Sequence, residues 1–233
     1  MRKTLAAALM LAMSACTLSA QDVKQLPAPD KTLNVTLMEA LQKRRSNREF
    51  DASKAISEQQ LSQLLWAACG VNNTERKLLT IPTAINAQDI KVYVCTAEGT
   101  CLYDPYTHSL SLVTKEDIRP LLCERQASMA SAPLNLLLVS DQSRFRGHGE
   151  TYGAMDSGYS SQNICLMCAA LGLKTVPRAM MNKEATAKAL GLGENMILPK
   201  LNGTKKCNSE KWEIEEFYRV KPAFKSEQDL TIG

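Results

Sequence analysis

The run 134–139 (Leu-Asn-Leu-Leu-Leu-Val) is almost continuously apolar, and it constrains the fold of this 233-residue chain more than any other segment. A run of this kind, without alternation, is typical of a β-strand that is covered on both faces. The run 89–96 alternates instead, with Ile90, Val92 and Val94 pointing the same way, as expected for a half-buried strand. The chain therefore needs a sheet with other elements packed on both sides of it.

Two capping boxes predict where helices begin, at residues 36–39 and 57–60. We expect the helix after the first box to bury a stripe of large apolar side chains, namely Leu37, Leu41 and Met38. The helix after the second box should end at Gly70. Its predicted buried face consists of Leu61, Leu64, Leu65 and Ala68.

Further segments complete the pattern of helices and strands. The longest helical stretch spans 153–173 and is closed by Gly172, and Asn182 caps a shorter helix that reaches about Leu190. Other strand-like runs lie at 101–103, 109–113, 175–181 and 196–198. Because strands are embedded among helices without strict alternation, the sequence predicts an α+β fold, with a mixed sheet and helices packed against it.

The first twenty residues resemble a targeting segment. Arg2 and Lys3 supply its positive start, and the apolar run 5–13 is too short to span a bilayer. We favour a signal peptide, 1–20, that is cleaved after Ala20; the alternative is a lipoprotein signal with a lipid on Cys16. Both predict a protein exported to the periplasm or cell envelope, with no transmembrane segment. The rest divides into a linker, a main domain and a divergent tail, at 21–35, 36–204 and 205–233.

Charge argues against a nucleic-acid partner. The sequence holds 28 Lys and Arg against 24 Asp and Glu, a net charge of +4. Cleavage after Ala20 removes two basic residues and leaves 26 against 24, or +2. A balance this close to zero is too weak to attract a polyanion.

Three ionisable residues invite a functional interpretation. His108 and His148 are far apart in the sequence and have no obvious partner, so we expect both at the surface. Asp156 lies in the longest helical stretch, where it fits a helix cap or a satisfied polar group better than a ligand contact.

Eight cysteines become seven after the predicted cleavage, so at least one thiol is free or paired between chains. Cys95 and Cys101 flank a turn between two strand-like runs, where a cross-hairpin disulfide would fit. Cys165 and Cys168 form a Cys-x-x-Cys pair, which is typical of a redox site or half a metal site. That pair lies in an apolar helical run without a second pair, so we favour packing as small hydrophobes and predict no metal.

The stretch 44–48 (Arg-Arg-Ser-Asn-Arg) carries three guanidinium groups and a hydroxyl within five residues. Arginine matches phosphate oxygens with two parallel hydrogen bonds, and Ser46 adds one more donor. Basic residues at a helix C-terminus are also favoured by the helix dipole, by about 0.3–1 kcal/mol each. The cluster alone fits either a phosphate anchor or an ordinary helix end.

Four segments, in order, resemble the nitroreductase superfamily. The first is 44–50 with the capped helix that ends at Cys69-Gly70, and the second is the loop 83–88 before a central strand. Leu-Tyr-Asp-Pro at 102–105, with His108, resembles the hairpin of the thiazole/oxazole-forming peptide dehydrogenase branch. The stretch 156–173 resembles the family's long central helix. The resemblance covers about residues 36–200.

The resemblance implies a nitroreductase-like fold, with a mixed, mainly antiparallel sheet flanked by helices, in a homodimer of intertwined subunits. It implies FMN at the subunit interface and ping-pong electron transfer to or from a small organic substrate. Arg44 and Ser46 are then expected at the FMN phosphate and ribityl chain, and Arg45 is a further cofactor-binding candidate. Arg48 is expected near the pyrimidine edge of the flavin, and Asn86 at the ring. No catalytic side chain is assigned, because the cofactor carries the chemistry.

Two stretches depart from the family's pattern. Where much of the family has Pro-x-Glu-Gly, which places a backbone amide near flavin N5, this chain has Pro-Arg-Ala-Met at 177–180. We still expect Pro177 and Arg178 at the cofactor, with Arg178 approaching the flavin or its phosphate. The family's closing basic residue has no clear equivalent, and Lys205 or Lys206 is the candidate substitute.

The leading hypothesis is an exported FMN-dependent oxidoreductase of the nitroreductase type. Export leaves the electron donor open between NAD(P)H, which is a cytoplasmic reductant, and an envelope redox partner. The runner-up among enzymes is the branch that oxidises azoline rings in peptides. The alternative from another class is a degenerate family member that binds flavin or another ligand without turnover.

Overall fold

The structure is a computed structural model that describes residues 23–50, 53, 55–123 and 130–206. The predicted signal peptide, with Cys16, and the part of the predicted tail beyond Lys206 lie outside the described residues. The strands are β1 (Val23–Gln25), β2 (Val71–Asn73), β3 (Leu78–Leu79), β4 (Ile90–Thr96), β5 (Gly99–Asp104), β6 (Ser109–Thr114), β7 (Leu134–Asp141), β8 (Leu173–Arg178) and β9 (Met196–Lys206). The helices are α1 (Leu37–Lys43), α2 (Glu58–Cys69), α3 (Arg119–Cys123), α4 (Gly149–Ala170) and α5 (Lys183–Ala189).

A seven-stranded sheet forms the centre, in the order β1-β6-β5-β4-β7-β9-β8. Every neighbouring pair of these strands is antiparallel. One parallel contact, an isolated bridge between Ser46 and Thr175 of β8, adds the chain after α1 to the outer edge. The α+β prediction with a mixed, mainly antiparallel sheet is confirmed.

Strand β7 lies inside the sheet, between β4 and β9, and has a core on each side. Leu136 and Leu138 pack in one cluster with Ile164 of α4. Leu137, between them in sequence, packs on the other side with Leu122 of α3. The first seven of the eight residues of β7 are buried, so the predicted strand covered on both faces is confirmed.

Strand β4 is buried on both faces, and the prediction of a half-buried strand is wrong for it. Ile90, Val92 and Val94 point towards α2 and α4, as their alternation predicts. Tyr93 and Cys95 point the other way and are also buried, in the cluster that contains residues of α3 and α5. Tyr93 and Cys95, which alternate with the apolar set, therefore belong to a second core rather than to a solvent-exposed face.

Helix α1 begins at the predicted capping box, with Thr36 as N-cap and Glu39 completing the box. Its predicted buried stripe is wrong, since Leu37 and Met38 are 65% and 63% exposed and Leu41 is also exposed. The small Ala40 is the residue that the helix buries. Because α1 lies against α4 through this narrow contact, its large apolar side chains remain on the outer surface of the chain.

Helix α2 follows the second capping box as predicted, with Leu64, Leu65 and Ala68 fully buried and Gly70 at its end. Helix α4 runs over 22 residues and begins four residues before the predicted start. Cys165 and Cys168 are buried free thiols in it, which agrees with their interpretation as packing residues.

The cross-hairpin disulfide considered from the sequence does not form, because both thiols are free. Cys95 lies opposite Thr100 and Cys101 lies opposite Val94, in adjacent rungs of the β4–β5 ladder. Successive residues of a strand point to opposite faces, so the two side chains lie on different sides of the sheet.

His108 is not the surface histidine that the sequence predicts. Its Nδ1 lies 2.8 Å from the Tyr103 hydroxyl, and its Nε2 lies 2.8 Å from Ser62 Oγ and 3.1 Å from the Pro27 carbonyl oxygen. Burial lowers the pKa of His108 below its ordinary value. The ring therefore ties the amino-terminal segment to α2 and to the β5–β6 hairpin. His148 is exposed, as predicted.

The stretch predicted as a linker, 21–35, begins with the edge strand β1, which pairs with β6. Leu26 follows it, is buried, and donates its backbone N–H to the His108 carbonyl oxygen at 3.2 Å. Within the described ranges, no helix is both long enough and apolar enough to cross a bilayer.

Candidate functional site

The arginine-rich segment, which we call the basic corner (residues 44–48), leaves α1 and runs onto the edge of the sheet. Arg44 is the C-cap of α1, and its backbone N–H donates to the Ala40 carbonyl at 2.9 Å. Asn47 then donates its backbone N–H to the Thr175 carbonyl oxygen at 3.0 Å, beside the Ser46–Thr175 bridge. These contacts fix the backbone of the corner against β8.

The three guanidinium groups of the basic corner do different things. Arg45 Nη1 donates to the carbonyl oxygens of Gln42 and Arg44, at 2.6 and 2.8 Å, so it serves the helix end as a C-terminal cation does. Arg44 is half-buried and Arg48 is exposed. Neither of these two forms an ion pair within the part of the chain that the structure describes, and both remain available to an anion.

Lys200 of β9 is a cation near the basic corner that the sequence reasoning did not select. The positive charges of Arg44 and Lys200 both act to lower the pKa of the Cys165 thiol, although burial is the larger effect and the pKa is raised overall. Both cations therefore lie close to the same residue of α4. Lys200 is difficult to identify as a site residue from the sequence, because an isolated lysine after a proline resembles an ordinary surface residue.

The end of β9 carries two further lysines, Lys205 and Lys206, whose backbone lies beside the start of β8. Thr204 pairs with Thr175, the residue that contacts the basic corner, and Lys205 and Lys206 continue β9 opposite Lys174 and Leu173. The register that the sequence left open is thus defined by the sheet. Lys205 and Lys206 are the candidate substitutes for the family's closing basic residue. They lie one and two residues beyond Thr204, which pairs with the Thr175 that contacts Ser46.

Pro177 and Arg178 lie two and three residues beyond Thr175 on β8. Pro177 is exposed, next to Asn202 of β9. The Arg178 guanidinium donates to the carbonyl oxygens of Leu122, Cys123 and Met180, at 3.3, 3.5 and 3.2 Å. Its donors thus hold α3 against the end of β8, which limits what remains for a ligand.

The second candidate contact, Asn86, lies in residues 83–88, which we call the flavin loop after the role that the family resemblance implies for it. Three of its non-glycine residues, Ile85, Asn86 and Gln88, have positive φ, from 51° to 55°, a conformation that non-glycine residues rarely adopt. Asn86 is exposed, and among the described residues its Oδ1 has one long contact, at 3.5 Å, with Gln88 Nε2. Its side-chain amide is therefore accessible to a ligand.

A buried carboxyl group supports the flavin loop. Asp156 of α4 is 2% exposed and accepts a hydrogen bond from the backbone N–H of Ala84 at 2.9 Å. Asp89, immediately after the loop, is fully buried beside it. The sequence interpretation of Asp156 as a satisfied polar group is confirmed, but its neighbour Asp89 was missed because the two are 67 residues apart.

Helix α4 connects the two candidate contacts. Asp156 touches the flavin loop, and Cys165, nine residues further along the helix, lies near Arg44. At 1.5 Å and 100° per residue, nine residues place these two levels about 14 Å apart along the helix axis and on opposite sides of the helix. The cations and hydroxyl of the basic corner and the exposed amide of the flavin loop are thus two separate groups of candidate ligand contacts.

Comparisons with known proteins identify the family of this chain. The nitroreductase family model matches residues 41–198. A protein of Methanocaldococcus jannaschii, assigned as a nitroreductase, is 32% identical over 168 residues, which is 66% of this chain and 83% of that protein. A Ralstonia eutropha crystal structure with the same assignment is 33% identical, with a TM-score of 0.75 over 82% of this chain and 92% of that one. The chain belongs to the nitroreductase family.

A more distant structure shares the fold alone. The E. coli microcin synthetase complex McbBCD contains a chain that is 16% identical, with a TM-score of 0.62, over 89% of this chain and 85% of that one. Membership of the nitroreductase family indicates a flavin-dependent oxidoreductase in general terms.

Proposed function

We propose that this protein is an FMN-dependent oxidoreductase that passes electrons in two half-reactions between a donor and a small organic substrate. The observation that carries the proposal is the pair of guanidinium groups, Arg44 and Arg48, next to Ser46 at the edge of β8, neither of which forms an ion pair with a described residue. A phosphate dianion needs such charge-assisted donors. The donor set fits FMN, because the basic corner offers cations and a hydroxyl for the phosphate and the flavin loop offers an exposed amide for the ring.

In this proposal the bound flavin supplies hydride and electron transfer, and the protein supplies binding, orientation and electrostatics. Arg44 and Ser46 hold the phosphate and the ribityl chain. Arg48 stands near the pyrimidine edge, where a fixed cation favours the reduced, negatively charged ring. Asn86 orients the ring from the flavin loop. Arg45 contributes through the helix end, and Pro177 and Arg178 shape the strand beside the site.

We further propose that the functional unit is a homodimer with intertwined subunits. Large apolar side chains are exposed on α1 and α4: Leu37, Met38 and Leu41, with Met155 at 52% and Tyr159 at 43% exposure. Leu37 and Leu41 on α1, and Met155 and Tyr159 on α4, are four residues apart, so each pair shares one face of its helix. Exposed apolar patches of this kind mark interaction surfaces. Sedimentation of the wild-type protein and of Met155→Lys tests this; a wild-type monomer with FMN bound would contradict it.

Export to the periplasm or cell envelope, with cleavage after Ala20 or a lipid on Cys16, remains part of the proposal. It favours an envelope redox partner over NAD(P)H as the electron donor. Faster flavin reduction by NADPH than by any quinol or envelope redox protein, measured with the mature protein, would contradict that choice.

A degenerate member that binds flavin or another ligand without turnover is the second candidate, and the Pro-Arg-Ala-Met stretch at 177–180 favours it. The experiment that separates the two starts from the mature protein isolated from the envelope and its extracted cofactor. A yellow protein that bleaches with dithionite and reoxidises with a nitroaromatic compound supports the oxidoreductase. A protein that stays colourless after incubation with FMN contradicts the main proposal.

A further inference from the structure

Two carboxyl groups meet inside the protein beneath the flavin loop. Asp156 of α4 is 2% exposed and Asp89, just before β4, is 0% exposed. The charge of Asp89 acts to raise the pKa of Asp156, so the two side chains are neighbours. Two neighbouring ionised carboxylates repel each other strongly when water is excluded, so the pair requires a compensating group.

Among the described residues, one buried oxygen of the pair lacks a hydrogen-bond donor. Asp156 Oδ2 accepts from the Ala84 backbone N–H, and Asp89 Oδ2 accepts from the Ser140 hydroxyl, whose oxygen in turn accepts from Gln142 Nε2 at 2.8 Å. Asp89 Oδ1 is buried and has no partner. A buried acceptor without a donor is costly, and a proton on Asp156 would provide the missing donor.

We propose that Asp156 is a positioning residue: it shares one proton with Asp89 and, through the Ala84 N–H, holds the flavin loop in the conformation that presents Asn86. The protonated carboxyl donates to Asp89 Oδ1 and still accepts from Ala84. One proton thereby satisfies every buried polar atom of the pair. The effect on the cofactor rests on the proposed function, whereas the proton and the loop do not.

The loop needs such support because its own geometry is unfavourable. Ile85, Asn86 and Gln88 hold positive φ without being glycine, and conformations of this kind persist only where the surroundings impose them. Ile85 is 81% exposed, so it contributes little packing. The Ala84 N–H bond to α4 is a direct tie between the loop and the core of the protein.

A glycine on α4 allows the close approach behind the pair. A Cβ added at Gly153 would lie 2.3 Å from Ser140 Oγ and 2.9 Å from Gln142 Nε2. Any side chain there would push α4 away from the Ser140–Asp89 hydrogen bond. Helix α4 therefore carries both Asp156, which holds the loop, and Gly153, which leaves room for the helix to approach Ser140.

Electrostatics agree with the shared proton. Burial, and then the charge and hydrogen bond of Asp89, raise the pKa of Asp156 to about 6 against the opposing Ala84 hydrogen bond. The nearby charged groups do not replace the proton: Arg144 directs its Nε at the Ala87 carbonyl oxygen at 3.1 Å, and Asp141 Oδ1 accepts from Ser143. Above about pH 6 the pair loses its proton, and repulsion loosens the loop.

The test compares three variants by amide hydrogen exchange of residues 83–88, in protein without added flavin. Asp156→Asn keeps an acceptor for Ala84 and a donor for Asp89, so exchange at pH 5 should remain within about twofold of the wild type. Asp156→Ala removes both, and exchange should accelerate about tenfold or more. Glu150→Gln, an exposed carboxylate in the first turn of the same helix, is the matched control and should change nothing.

Between pH 5 and pH 8, after correction for intrinsic chemistry, exchange in the loop should rise in the wild type and stay constant in Asp156→Asn. A purely structural role for Asp156 would not produce that difference. Equal pH dependence in the two proteins, or an unchanged loop in Asp156→Ala, would overturn the proposal.

Infrared spectroscopy provides a second measurement if Asp156→Ala does not fold. Exposed glutamates are partly protonated at pH 5, so the pH 5 minus pH 8 difference spectra of the wild type and Asp156→Asn are compared. The wild type should show the carbonyl band of one additional protonated carboxylic acid. Identical difference spectra would refute the shared proton. FMN titration then separates the two proposals, since loop and infrared results as expected without any FMN binding would count against the proposed function alone.

Discussion

The two levels of α4 treat charge in opposite ways. At Asp156 two acids are sealed inside the protein and need a proton from within. In the basic corner, whose Arg44 acts on Cys165, the charges of Arg44 and Arg48 stay half-buried or exposed, with no carboxylate partner in the described chain. The first arrangement serves the conformation of the protein itself. The charges of the basic corner remain hydrated, so they destabilise the fold little and are suited to a ligand of opposite charge.

The largest expected effect tests the buried level. Asp156→Ala leaves the Ala84 N–H without an acceptor and Asp89 without its neighbour, so the free energy of unfolding at pH 5 should fall by about 3 kcal/mol. Arg44→Ala should change it by less than about 0.5 kcal/mol, because the half-buried Arg44 guanidinium forms no ion pair with a described residue. Urea denaturation measures both. Similar losses in the two variants would erase the contrast between the levels.

The next effect tests the basic corner. Arg44→Ala should weaken FMN binding by about 1.5–3 kcal/mol, or roughly 10- to 150-fold in Kd, as for the loss of a charge-assisted hydrogen bond. Quenching of flavin fluorescence measures this. Lys43→Ala, which removes a neighbouring charge from the last turn of α1, is the control and should leave Kd nearly unchanged. A larger loss of FMN affinity in Lys43→Ala than in Arg44→Ala would contradict the assignment of Arg44 as the phosphate anchor.

The pH dependence of stability gives a smaller signal with a defined sign. The pKa of Asp156 is higher in the folded protein, about 6, than its ordinary value of 3.8. The folded state therefore binds the extra proton between these values, and stability falls as pH rises through this window, by up to about 1.4 kcal/mol per pH unit. The comparison of wild type with Asp156→Asn isolates it, because the lowered pKa of His108 has the opposite sign and is common to both proteins.

Salt should produce the smallest effect and should separate the levels again. Raising ionic strength from about 0.05 to 0.5 M screens the exposed guanidinium groups and should weaken FMN binding several-fold. The exchange rate of the flavin loop should not respond, because its tie to Asp156 is buried. A salt-sensitive loop would mean that water reaches the acid pair.

Local signals predicted much of the fold. The capping boxes at Thr36 and Ser57, the apolar run of β7 and the Asn182 cap all mark real elements. These features succeed because each depends on neighbours within a few residues. The basic corner was found for the same reason, since its residues are contiguous.

Features that depend on distant partners were not predictable in this way. Asp89 and Asp156 meet only after α4 packs over β4, and no pattern in either segment announces the other. The exposure of Leu37 and Met38 depends on which helix α1 meets and on how small Ala40 is. The hydrogen bonds of His108 depend on the amino-terminal segment folding back as β1.

The sheet ends at two margins that could otherwise recruit a foreign strand. On one side β1 has three residues and carries an exposed lysine, Lys24. On the other, Ser46 and Asn47 cover Thr175 of β8. Unpaired margins invite aggregation, and short charged strands discourage it. The basic corner, which is proposed to hold a cofactor, thus also helps to protect this margin of the sheet from pairing with another molecule.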